Sequence, residues 1–157
     1  MKLLNLAVLF FLTFISVNSF ADDNEDLNRL LNDYVKAVNE LDLNLAKNIW
    51  SQKESISFIQ PRGHQKGWDE IEKAFYLGAM GNFKTRDLVL KNVNIRILSE
   101  DAAWSDFYWD FNATFKDGTP IQTSGRETQV YKKEPDGWKI VHVHYSGMPV
   151  TGEREGF

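Results

Sequence analysis

The sequence predicts an α+β fold in which a curved antiparallel sheet wraps N-terminal helices and leaves a cone open at one end. Three features of the chain point to it. Helical periodicity is confined to the first half, strand alternation fills the second half, and turn signals separate the strands at regular places. No internal repeat, low-complexity tract or interdomain linker interrupts the pattern, so one domain is expected.

The first segment reads as an address rather than a structural element. Met1-Lys2 precedes the uncharged run Leu3 to Val17, which is followed by Asn18-Ser19-Phe20-Ala21 and the acidic Asp22-Asp23. A basic start, an apolar core and a small-x-small site predict a secretory signal peptide cut after Ala21. The apolar run is shorter than the ~20 residues a spanning helix needs. The protein is therefore expected to be exported, periplasmic or secreted, with no membrane association after cleavage. Residues 1–21 are the leader, 22–149 the domain and 150–157 a loose tail without periodicity.

The domain opens on a helix from about Asp23 to Glu40. Leu27, Leu30, Leu31, Tyr34, Val35, Val38 and Leu41 recur at steps of three and four, which forms one apolar stripe, and acidic residues crowd the first turn. A shorter helix from about Leu43 to Trp50 repeats the pattern with Leu45, Ala46, Ile49 and Trp50. Ser55 to Ile59 reads as a strand turning at Pro61-Arg62-Gly63, since proline presets one turn angle and glycine permits another. Gly67-Trp68-Asp69 opens a third helix with Ile71, Ala74, Phe75 and Leu77 on one side, ending near Gly78 or Gly81.

Four long strands follow. They are Leu88 to Ile97, bent at Asn92 or Asn94, then Ala102 to Phe115, Gln122 to Tyr131 and Trp138 to Tyr145. Lys116-Asp117-Gly118 and Pro135-Asp136-Gly137 close the turns between the last three.

Composition removes several classes of function. With 22 acidic against 18 basic side chains, a net charge of -4 and no basic run, the 157-residue chain lacks what neutralises nucleic-acid phosphates. It has no cysteine, which excludes disulfides, thiolate zinc sites, iron–sulfur clusters, cysteine nucleophiles and a lipoprotein anchor. No Gly-x-Ser-x-Gly elbow is present, and Gly118 and Gly137 precede no helix that could cradle a phosphate. No cofactor is expected, and no metal, because two histidines and an aspartate lack a firm third ligand.

Alternation assigns faces. Phe107, Trp109, Phe111, Ala113 and Phe115 share one side of their strand, and Asp106, Tyr108, Asp110, Asn112 and Thr114 share the other. The aromatic side must pack on the helices, since so large an apolar patch in water would aggregate. On the last strand Val141, Val143 and Tyr145 oppose Trp138, Ile140, His142 and His144, and parity alone leaves open which set faces inward.

The segment SGRETQVYKKEPDGWKIVHVHYSGMP resembles the last two strands of the association (hub) domain of calcium/calmodulin-dependent protein kinase II, within the SnoaL-like, nuclear transport factor 2-like superfamily. Glu127, Thr128, Val130, Tyr131, Trp138, Ile140, Val141, His142, His144, Ser146, Gly147 and Pro149 carry the likeness. Upstream, FIQPRGHQKGWDEIEKAF is similar to the strand, glycine turn and Gly-Trp helix start of bacterial relatives. No kinase signature is present.

The resemblance implies a cone-shaped nuclear transport factor 2-like (cystatin-like) fold, a pocket on the concave side of the sheet, and assembly into homodimers or larger rings. The hub pocket holds carboxylate ligands with arginines, whose positions fall here on Trp109, Gln129 and Tyr145, so the bidentate donors are absent. The same carry-over places Tyr145, Val143 and Val141 on the concave face with Trp109, Phe111, Glu127, Gln129 and Tyr131. The expected ligand site is thus Trp109, Phe111, Gln129, Tyr131 and Tyr145, with Trp50, Trp68, Tyr76, Phe75 and Met80 ringing its mouth.

Asp106, Tyr108, Asp110, Arg126, Thr128, His142 and His144 fall on the convex face, where they would meet a second subunit, with Arg126 paired to Asp110 or Asp106. The expectation is an exported, non-catalytic module that binds a small unidentified molecule or drives assembly. The alternative is a small enzyme resembling SnoaL-type cyclases or ketosteroid isomerases. Glu127 is its first acid/base candidate; Asp110, His142 and His144 become candidates if the faces are inverted.

Overall fold

The structure, a computed structural model, describes residues 16–148, and side-chain surroundings from Asp22 onward. The expected leader before Ser16 and the expected tail lie outside the described residues. Helix α1 spans Ser16–Glu40, so it continues back through the expected cleavage junction. Its apolar stripe, Leu27, Leu30, Leu31, Tyr34, Ala37 and Val38, is buried, as period 3.6 requires of a helix with one face on a sheet. Leu41, at φ 54, breaks the helix. Asp42 then caps α2 (Leu43–Ile49), its carboxylate accepting from the backbone N–H groups of Asn44 and Leu45.

Strands β1 (Ser57–Gln60) and β2 (Gly63–Lys66) form a hairpin around Pro61-Arg62. The second of these was not legible in the sequence, because GHQK has no apolar alternation. Helix α3 (Gly67–Ile71) widens into a π-helical stretch, Glu72–Ala79, and tightens to a 3₁₀ turn at Met80–Asn82. Phe75 and Tyr76 on the wide stretch are buried.

Strands β3 (Phe83–Ser99), β4 (Ala102–Phe115), β5 (Pro120–Glu134) and β6 (Gly137–Gly147) form an antiparallel meander. The sheet is six-stranded, in the order β2-β1-β6-β5-β4-β3, with β1 joining β6 in parallel. The expected bend in β3 is a register shift between Lys91 and Asn94, and Asn92 takes φ 53 there.

A second irregularity decides the faces of β6. Val130 pairs with His142 but Tyr131 pairs with Ile140, so Val141 is the extra residue of a bulge. Tyr145 and Val143 point inward as expected. Below the bulge the parity inverts, and Ile140 and Trp138 are buried at 0% and 5% exposure while Val141 is only half-buried. The placement of Val141 on the concave face is therefore corrected. One inserted residue moves every side chain beyond it to the other face, and period-two reading cannot see it.

The closed end of the cone is solid. Trp50, Tyr76, Phe58, Phe107 and Tyr131 are buried there, and Trp50 Nε1 donates to Tyr76 Oη at 3.2 Å. Asp23 ties α1 to the sheet, accepting from Trp138 Nε1 at 2.9 Å and pairing with Lys133.

Candidate functional site

A cavity of about 440 Å³ lies between α1, the β1–β2 turn, the end of the π-helical stretch and the concave face of β3–β6. Phe75, Phe83, Trp109, Phe111 and Phe115 are among the aromatics of its wall, and Arg62 and Glu127 are the charged residues on it. Alternation on β4 puts its three aromatics on this face. Their seating depends on neighbours. Trp109 packs on Gly125, its cross-strand partner, and meets Tyr145 edge-on with centroids 5.8 Å apart. Phe83 meets Phe111 edge-on at 5.3 Å. Tyr145 Oη donates to Gln60 Oε1 at 3.0 Å, which holds the β1 end of the wall to β6.

Glu127 forms the inner end. The residue is 6% exposed; Gln129 Nε2 donates to Oε1 at 2.7 Å, and Tyr34 Oη lies 3.4 Å from Oε2. Burial pushes the carboxyl up to about 7, against the two hydrogen bonds from Gln129 and Tyr34 that favour the charged form. Burial, with Glu127 beside it, pushes the Tyr34 hydroxyl well above the usual tyrosine range, so Tyr34 keeps its hydrogen. A carboxyl that can hold or release a proton near neutrality thus sits against an apolar chamber.

Trp109, Phe111, Tyr145 and Glu127 line the cavity, as do Phe75 and Met80. Gln129 and Tyr131 do not; they are buried behind Glu127 at 0% and 1% exposure. Trp50, Tyr76 and Trp68 are likewise core of the closed end rather than a rim, with Trp68 packed 5.9 Å from the Tyr76 ring. The expected residues divide between the cavity wall and the core beneath it, because alternation assigns a face and carries no information on position along the cone axis. Tyr34, Gln60, Arg62, Phe83 and Phe115 were missed. Tyr34 offered a signal, a hydroxyl in an otherwise aliphatic stripe.

The remaining candidates lie on the outer face. Asp110 pairs with Lys91 and accepts from Ser124 Oγ at 3.0 Å. His142 Nδ1 is 2.7 Å from Ser57 Oγ, and burial, then His144 and His64, holds its pKa below the usual value. His144 is exposed opposite Thr128. Arg126 does not pair with Asp110 or Asp106: its Nε donates to Ser146 Oγ, and Asp106 accepts from Asn94 Nδ2. The expected ion pair fails because Arg126 sits across from Tyr108 and Ser146, with both aspartates already engaged by β3 or Ser124. Among the described residues no group of three or more His, Asp or Glu could hold a metal ion, and no helix is long and apolar enough to cross a membrane.

Residues 27–151 match the family model of the SnoaL-like domain. Among solved structures, a nuclear transport factor 2-like superfamily protein from Salmonella enterica serovar Typhimurium LT2 is 38% identical, with a TM-score of 0.83 over 88% of this chain and 99% of that one. The chain belongs to the SnoaL-like family of the nuclear transport factor 2-like superfamily. More distant structures share the fold alone. A Xanthomonas campestris protein described as a calcium/calmodulin-dependent protein kinase II association domain is 19% identical, with a TM-score of 0.69 over 80% of this chain and 87% of its own. A hexachlorocyclohexane dehydrochlorinase from Novosphingobium barchaimii LL02 is 13% identical, with a TM-score of 0.73 over 85% of this chain and 92% of its own. No curated protein matches.

Proposed function

We propose that this is an exported small-molecule-binding protein whose cavity takes one compact, largely apolar molecule with a polar end against Glu127 and Tyr34. The observation that carries this reading is a chamber of about 440 Å³ with aromatic walls and one buried carboxyl at its inner end. Concave, mostly apolar space with a few convergent polar groups is the usual make-up of a ligand site. A thermal-shift screen of small aromatic and alicyclic compounds tests it, since a ligand that binds only the folded state raises the melting temperature. The stabilisation should vanish in Trp109→Ala; a screen without hits, or hits indifferent to that change, overturns the reading.

A second reading, a proton-transfer enzyme, is favoured by the Glu127 carboxyl at about 7, which suits a general acid or base at neutral pH. The dehydrochlorinase among its structural neighbours makes elimination one reaction class to assay. Glu127→Gln separates the two: a binding protein keeps its ligand, and an enzyme keeps the ligand but loses turnover. Assembly through the outer sheet face, where Tyr108 is 45% exposed beside Arg126 and His144, completes the proposal. Sedimentation should show a dimer that Tyr108→Glu dissociates, and a monomeric wild type would remove this part of it.

A further inference from the structure

Glu127 is the cavity end of a buried chain of hydrogen bonds. Ser105 Oγ lies 2.6 Å from Tyr131 Oη, Tyr131 Oη lies 2.9 Å from Gln129 Oε1, and Gln129 Nε2 lies 2.7 Å from Glu127 Oε1. Ser105 and Gln129 are 0% exposed and Tyr131 is 1% exposed, so bulk water cannot substitute for any link. A phenol carries one hydrogen. Tyr131 gives its hydrogen to the Gln129 oxygen, which makes Ser105 the donor to Tyr131. The Gln129 amide is thereby held by its oxygen, and its nitrogen is turned toward Glu127. The polarity of the whole chain follows: Ser105 to Tyr131, Tyr131 to Gln129, Gln129 to Glu127.

An amide N–H leaves its acceptor no room for a proton on the same side. The Gln129 N–H cannot turn into an acceptor, so a proton on Glu127 Oε1 would find no partner in it, and Oε1 is the less favoured oxygen for the proton. Oε2 faces the Tyr34 hydroxyl at 3.4 Å, which can donate to the charged carboxylate and accept from the neutral acid, so Oε2 is the oxygen that takes and gives the proton. The other ionisable groups that face Glu127 are hydroxyls: Tyr34 from α1, Tyr76 from the π-helical stretch, Tyr145 from β6 and Tyr131 from its own strand, while Arg62 is the cation on the cavity wall.

We infer that Gln129, oriented by Tyr131 and Ser105, is a positioning residue that leaves Oε2 as the single oxygen through which Glu127 meets a proton or a ligand. This rests on the reading of Glu127 as the polar end of the site, and it narrows the ligand. A one-oxygen contact suits a lone hydroxyl, carbonyl or amine. It does not suit an amidinium or guanidinium, which needs both carboxylate oxygens for its paired donors.

The test uses ligand-free protein, so it stands or falls apart from any ligand screen. The infrared carbonyl band of protonated Glu127, identified as the band lost in Glu127→Gln, is followed against pH in wild type, Gln129→Met and Tyr131→Phe. Wild type should give one narrow band and one midpoint. Gln129→Met should raise the proton affinity about tenfold, since a donor to the charged form is gone, and broaden the band as either oxygen can then carry the proton. Tyr131→Phe keeps the amide but frees it to rotate, giving a smaller shift in the same direction; it carries the test alone if Gln129→Met does not fold. An unchanged band and midpoint in a folded variant of either kind overturns the inference.

Discussion

Trp109 and Gly125 face each other across the β4–β5 pair so closely that a β-carbon on Gly125 would overlap the indole and the carbonyl oxygen of Ser146. The cavity wall at Trp109 exists because position 125 has no side chain. Gly125→Ala should push the indole off its seat or part the strands, with a stability loss of about 1–3 kcal/mol, the usual range for overpacking. Urea denaturation followed by tryptophan fluorescence measures it. An alanine variant with unaltered stability and emission would show that the wall can yield at no cost.

Glu127 should give the protein an inverted pH dependence. The unfolded chain loses this proton near 4.5 and the folded protein near about 7. Between those values the unfolded state holds fewer protons, so stability falls as pH rises and levels off above about 7. The loss amounts to about 3 kcal/mol. His142, whose folded pKa is lowered, acts in the opposite sense below 6.5. Subtracting the Glu127→Gln profile from that of wild type isolates the carboxyl, and identical profiles would contradict its burial.

Asp23 behaves as an ordinary stabilising carboxylate. Burial resists its ionisation, but hydrogen bonds from Lys133 and Trp138 outweigh this and hold its pKa below 3.8. Its contribution is present above 3.8 and lost as pH falls through the folded value. Asp23→Ala strands the Trp138 indole N–H and should cost about 1–3 kcal/mol. Asp23→Asn keeps an acceptor for the indole and should cost less, since Lys133 is part-exposed and regains water. Chemical denaturation of the two variants ranks them; equal losses would assign the effect to the ion pair.

Export predicts a product. Protein recovered from the periplasm or medium should begin at Asp22, one residue before the Asp23 anchor, and intact mass measurement reads this directly. Retention of Met1 in that fraction would refute cleavage after Ala21.

Apart from β2, the element order and the turns were legible from periodicity and turn residues, and the inward aromatics of β4 because period two runs without a break from Phe107 to Phe115. At β6 the same rule failed after one bulged residue, Val141, and the faces of Ile140 and Trp138 came out reversed. The site was half legible. Trp109, Phe111, Tyr145 and Glu127 were found by face, but Gln129, Tyr131, Trp50, Trp68 and Tyr76 were placed on the wall when they lie beneath it. Depth along the axis depends on how far each helix enters the cone, and that is a property of tertiary packing. Tyr34 escaped notice for the same reason, as its partner is 93 residues away.

The parallel pairing of β1 with β6 joins Ser57 to His142, and the contacts of Trp50 with Ile140 and Asp23 with Trp138 repeat that long span. Such connections must close large loops before they return any stabilisation, so folding should be slow and late. During synthesis α1 can meet α2 and β3 as they emerge, but β1 finds its sheet partner only when β6 does. The cavity takes Tyr145 and Gly147 from β6, so it is completed only with the last strand, and a truncation within β6 should yield a chain that fails to fold rather than one that fails to bind.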